Sequence, residues 1–159
     1  MDISSPHAHV SSWLAKFSDA LEKADTHALK SLFAKDCYWR DLVAFTWNIK
    51  TMEGREAIAD MADTTLENVR PTNWQIKGEP ITADGITEAW LTFETNAVNG
   101  KGHVRLNEHG CWTLLTTAQE LKGFEEKKGT NRDMGVSHGA IKDRKTWSER
   151  RECEARELG

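Results

Sequence analysis

The stretch "LFAKDCYWRDLVAFTW", residues 32–47, decides how this chain is to be read. It begins as the end of a helix, turns, and becomes a short strand running Trp39, Arg40, Asp41 into apolar residues. On a strand, side chains alternate between faces, so Cys37, Trp39 and Asp41 share one face while Tyr38 and Arg40 share the other. If the tryptophan faces the interior, so does the carboxylate. Asp41 is then either a polar group closing the end of a strand or a carboxylate held in a pocket beside an indole. A water-poor pocket would disfavour its charged form and suit it to general acid–base chemistry. In that second case Asp41→Asn would leave folding intact.

Working outward, Val10, Trp13, Leu14, Phe17 and Leu21 recur at helical spacing and predict an amphipathic helix. Asp25 or Thr26 can cap a shorter helix carrying Ala28, Leu29, Leu32 and Phe33. After the strand comes a loop through "TWNIKTME", and Gly54 opens a third helix with Ile58, Met61, Ala62, Thr65 and Leu66 on one face. From Pro71 the period changes from that of a helix to that of a strand. "TNWQIKGE", "ITEAWLTFETNAV", "GHVRLNE" and "CWTLLTTAQEL" are strand-like, with turn signals "TADG", "NGKG" and "NEHG" between them. Such order predicts an α+β fold, with helices first and then a bent, mainly antiparallel sheet, over residues 1–122. Residues 123–159 read as a polar connector ending in a helix with a capping box, Thr146 and Glu149.

Composition excludes several classes of function. At 159 residues the chain is long enough to bury a core without disulfides. A net charge of −4 gives no electrostatic case for nucleic acid or anionic membrane as partners. Three cysteines, Cys37, Cys111 and Cys153, form no C-x-x-C pair, which fits a reducing cytoplasm. No metal site is expected; the H-x-H of His7 and His9 has no acidic or thiol ligands near it in sequence. Seven tryptophans are many for this length and imply aromatic walls in a core or around a cavity.

The segments "ALKSLFAKDCYWRD" and "TMEGREAI", in this order and spacing, resemble the nuclear transport factor 2-like (SnoaL-like) superfamily, with its polyketide-cyclase, ketosteroid-isomerase and scytalone-dehydratase relatives. The resemblance implies a cone of helices packed on a strongly curved sheet. It also implies an acidic residue at the position of Asp41 pointing into the cone. Large aromatic residues are usually buried, so Trp47, Trp74, Trp90 and Trp112 are expected in the core or as cavity lining, with Trp39, Asp41, Trp47, Trp90 and Trp112 as the pocket set. Dehydratase and cyclase relatives pair that aspartate with a histidine, for which His103 is the candidate. An isomerase of the ketosteroid design needs a tyrosine in the pocket, and Tyr38 has the wrong parity. An Asp–Arg set of the epoxide-hydrolase kind (Arg40, Asp41, Arg105) fails for the same reason at Arg40.

"YWRDLVAFTWNIKTMEGREAI", "GCWTLLTTAQELKGFEE" and "GVSHGAIKDRKTWSERR" also resemble the N-terminal region of flavin-containing monooxygenase-like proteins. That likeness implies docking residues Arg132, His138, Arg144, Trp147 and Arg150 in the tail, facing a following flavin domain. FAD and NADPH would belong to such a domain, because this sequence has no strand–G-x-G-x-x-G–helix unit of its own. The expected function is a pocket for a small apolar or aromatic molecule combined with homodimerisation. A stand-alone lyase, isomerase or cyclase using Asp41 as base is the alternative, and a purely structural dimerisation domain is a third.

Overall fold

A computed structural model describes residues 5–132, 135 and 145–159. It divides into two compact units, one ending at Glu126 and the other beginning at Lys127. The first contains α1 (Pro6–Glu22), α2 (Thr26–Ser31), β1 (Phe33–Leu42), β2 (Ile49–Glu53), α3 (Arg55–Val69), β3 (Thr72–Ala83), β4 (Ile86–Glu94), β5 (Val98–Asn107) and β6 (Gly110–Leu121). The second holds a 3-10 turn at Gly129–Asn131 and α4 (Trp147–Leu158), whose expected capping box is formed.

Each helix of the first unit forms for a local reason. The Ser5 hydroxyl caps α1 by accepting from the Ala8 N–H, and Pro6 sits in the first turn, where its missing N–H costs nothing. The helix buries the expected stripe plus Ala20. Asp25 caps α2 through the Ala28 N–H. α3 buries Ile58, Ala59, Met61, Ala62, Leu66 and Val69.

The six strands run β2-β1-β6-β5-β4-β3. Among the described residues only the β1–β6 pair is parallel; the others are antiparallel. Five register shifts, spread over the β1–β6, β3–β4 and β5–β6 pairs, interrupt the ladders and bend the sheet around the helices. The result is the α+β fold expected from the order of elements, in the cone form that the resemblance implied.

Two expectations need correction. The "loop" through residues 46–53 contains β2, whose pattern has a single buried residue, Met52, and so gave no alternating signal. "NGKG" is not a turn, since Gly100 and Gly102 lie inside β5. Gly100 pairs directly with Phe93, and a Cβ at Gly100 would overlap the Phe93 ring. The glycine is there so that the ring can lie flat across the neighbouring backbone, a close approach that looks like a turn in sequence.

The concave side of the sheet is filled by aromatic rings. Trp39 stacks on Phe33 (6.1 Å between centroids) and meets Phe45 edge-on (5.1 Å). Trp74 stacks on Phe93 (4.4 Å) and meets Phe17 edge-on (5.1 Å). Phe17 in turn stacks on Trp13 (4.7 Å). Burying each ring contributes roughly 1.5–3 kcal/mol, and well-oriented pairs add about 0.5–1.5 kcal/mol more.

Candidate functional site at the end of the first strand

Parity placed Asp41 correctly on the inner face, where it is fully buried beside Trp39. Its carboxylate is nonetheless occupied. Oδ2 accepts from the Phe45 N–H (3.0 Å), the Thr46 N–H (2.8 Å) and the Thr46 hydroxyl (2.9 Å). Oδ1 accepts from the Thr116 hydroxyl at 2.6 Å, and the Thr116 oxygen accepts from Trp39 Nε1 at 2.9 Å. An ionised carboxylate offers about four acceptor positions, and here four donors fill them. These bonds offset the cost of burying the charge; among the described residues no cation stands within ion-pair distance of it.

What the carboxylate holds is the turn at 43–48. Val43 has φ +71° and Trp47 φ +55°, both in the left-handed region. For a β-branched residue such as Val43 this is a strained conformation, with a cost of order 1–3 kcal/mol. The Val43 N–H donates to the Asn48 carbonyl (3.0 Å), and three of the Asp41 bonds tie down the middle of the turn. Asp41 therefore acts as the clamp of a strained loop, with its partner Thr116 on β6.

His103 does not reach it. Asp41 is in register with Thr116, which pairs with Gly102; His103 pairs with Leu115, which pairs with Arg40. The histidine thus projects from the outer face with Arg40, and an Asp41–His103 dyad is not assembled. His103 lies instead against Trp90 (ring centroids 4.5 Å), and Lys101 Nζ sits 4.4 Å above the Trp90 ring. Burial pushes the His103 imidazole below its usual value, against the pull of nearby Glu88. Arg40 bonds the Thr51 hydroxyl (3.1 Å) and Arg105 stands 3.6 Å from Glu88, both outside, so no Asp–Arg set forms either.

The expected tryptophan lining also separates. Trp39 faces inward, but Trp47 and Trp90 are 58% and 47% exposed, and Trp112 sits partly exposed where β6 bulges between Cys111 and Thr113. Trp74, also expected in the core or as lining, packs half-buried against the interior, where Trp13 and Trp39 are the buried indoles. The Trp74 Nε1 is buried with no hydrogen-bond partner among the described residues.

A groove of about 460 Å³ lies between β2 and α3, walled by Thr46, Asn48, Lys50, Asp60 and Thr64; Asp41 does not line it. The inner thiols of Cys37 and Cys111 are pushed up by burial, which makes them poor nucleophiles. Among the described residues no cluster of three His, Cys, Asp or Glu could hold a metal, and His9 instead meets the Thr87 hydroxyl at 3.2 Å. No described helix is long and apolar enough to cross a membrane. In the second unit Arg132 and Arg150 are exposed, and Trp147 is exposed beneath the Arg151 guanidinium (5.2 Å). His138 and Arg144 lie outside the described residues.

No family model and no curated protein matches this chain. Solved structures do. A ketosteroid isomerase-like protein from Erwinia carotovora atroseptica superposes with a TM-score of 0.61 at 11% identity, covering 76% of this chain and 99% of that one. A domain with a cystatin-like fold from Nostoc punctiforme gives 0.59 at 11% identity, covering 72% and 78%. A protein provisionally described as a dehydratase of the nuclear transport factor 2-like family, from Streptomyces avermitilis, gives 0.57 at 11% identity, covering 72% and 96%. The chain has the nuclear transport factor 2-like fold. At such identities the likeness is one of architecture.

Proposed function

We propose that this domain is a non-catalytic assembly module that pairs with a second copy of itself through the outer face of its sheet. The observation that carries this is the contrast between a saturated Asp41 inside and a mixed outer surface that leaves Ile49 and Trp90 open. The strand register aligns Ile49, Leu42, Thr117, Lys101 and Thr92 in one outer row and Thr51, Arg40, Leu115, His103, Trp90 and Lys77 in the next, so apolar and polar side chains are mixed. Ile49 and Trp90 are 62% and 47% exposed. An antiparallel sheet with apolar residues on both faces favours a second cover, and a two-fold pairing supplies one from an identical surface. Light scattering after size exclusion tests it: a mass of two chains is expected, falling to one in Trp90→Glu. A monomer at all concentrations would overturn the proposal.

A second reading, a pocket for a small apolar molecule, has one observation in its favour. Trp74 Nε1 is a buried donor without an acceptor, a group that is rare in folded proteins unless a water or ligand meets it. A molecule with a single carbonyl could part the rings and accept from it. Titration with cyclohexanone should then shift the Trp74 indole proton; an unmoved resonance would exclude this pocket. Use of Asp41 as a base in a lyase, isomerase or cyclase would require the carboxylate to release donors that also hold the strained turn. The link to a flavin-containing parent keeps the sequence resemblance as its support, and the structural relatives add none. FAD and NADPH would enter only with a following domain, so the purified chain should be colourless.

A further inference from the structure

A crevice of about 640 Å³ lies away from the Asp41 turn, where three distant segments converge: the irregular start of β1 (Lys35, Asp36), the first residue of α3 (Arg55) and the β5–β6 turn and bulge (Asn107, His109, Trp112). Its size is that of small-molecule sites. Its walls are held by bonds unrelated to any ligand. The register shift between Phe33 and Tyr38 leaves the Phe33 carbonyl outside the ladder, and Arg55 donates to it from both Nε (2.9 Å) and Nη2 (2.8 Å). That fixes the guanidinium plane and leaves Nη1 as a free donor edge. The Cys111 N–H donates to the Leu32 carbonyl (2.9 Å), and the β5–β6 turn presses so closely there that a Cβ on Gly110 (φ +122°) would stand 2.7 Å from the same oxygen. Asn107 Oδ1 accepts from the His109 N–H (2.8 Å), which leaves the Asn107 amide NH2 to donate.

The chemistry on these walls is specific. Lys35 makes no ion pair among the described residues, and Trp112 stacks on no other ring. A fixed guanidinium edge, a free ammonium and an amide donor suit a carboxylate, and the uncovered indole beside them suits a flat ring. Asp36 adds a negative charge that disfavours polyanions such as nucleoside phosphates. We propose that this crevice binds a small planar aromatic carboxylate, with its carboxylate on Lys35 and Arg55 and its ring on Trp112.

The test is calorimetric titration of the full chain with 4-hydroxybenzoate, with inorganic phosphate as the anion-only control and the Trp112 indole proton followed by NMR. A ligand of this size should bind with a dissociation constant of about 0.1–1 mM. Lys35→Ala, an exposed change with no effect on folding, and Trp112→Leu should each weaken binding about tenfold. Three results would overturn the proposal: no saturable binding, phosphate binding as tightly as the aromatic acid, or binding that leaves the Trp112 proton unmoved. Because the site shares no residue with the outer rows or with Trp74, its failure would leave the dimer and the inner pocket unaffected.

Discussion

The two faces of the sheet use similar residue types for opposite ends. On the inner face, Trp39, Asp41 and Thr116 form one hydrogen-bonded chain inside a packed ring cluster. On the outer face, Trp90, His103 and Lys101 also lie in contact, but the indole is half open to water with the cation over its ring. A tryptophan beside a charge therefore says little until its partners are counted. Inside, every acceptor of Asp41 is filled, so the group stabilises a loop. Outside, groups capable of further contact remain, and binding becomes possible.

The difference can be broken first at its most buried point. Trp39→Ala removes a fully buried ring and the donor to Thr116, and should cost about 3–5 kcal/mol in urea unfolding. A cost below about 1 kcal/mol would mean the cluster is loosely packed. Asp41→Asn comes next. It places an amide NH2 where only acceptors fit, so at least one donor of the turn loses its partner, and a cost of about 2–4 kcal/mol is expected by the same measurement. That reverses the outcome a catalytic pocket aspartate would give.

The outer face should respond differently. Trp90→Glu should change the unfolding free energy of the isolated monomer by no more than about 0.5 kcal/mol, while halving the mass in solution. Equal losses inside and outside would erase the distinction drawn here. The smallest effect is that of pH on His103. Its folded value lies below its unfolded value near 6.5, so the unfolded chain binds the proton first as pH falls. The neutral imidazole's contribution is fully present above about pH 6.5 and is lost as pH falls toward the lowered folded value. A dimer that buries His103 further should dissociate over the same window, and His103→Gln should flatten both profiles.

Much of the fold could be read from periodicity. The stripe of α1, the cap of α2 and the alternation in β1 are local signals, and each is realised. The inward direction of Asp41 was legible for the same reason. Its occupation was not, because Thr116 lies 75 residues away and meets it only through a parallel pairing that no local pattern announces. β2 escaped because its one buried residue shows no alternation. The glycines of "NGKG" misled because a turn and a ring-covered strand ask for the same residue. The outer position of His103 followed from a register that bulges in β5–β6 had shifted, which parity within one strand cannot see.

Amide hydrogen exchange at Phe45 and Thr46 tests most directly whether the Asp41 carboxylate is a clamp. In the native protein both amides should exchange slowly, and in Asp41→Asn they should exchange as fast as the exposed Asp84–Gly85 turn while the amides of β5 remain protected. Unchanged protection of Phe45 and Thr46 in the variant would contradict the account and return Asp41 to the list of groups free for chemistry.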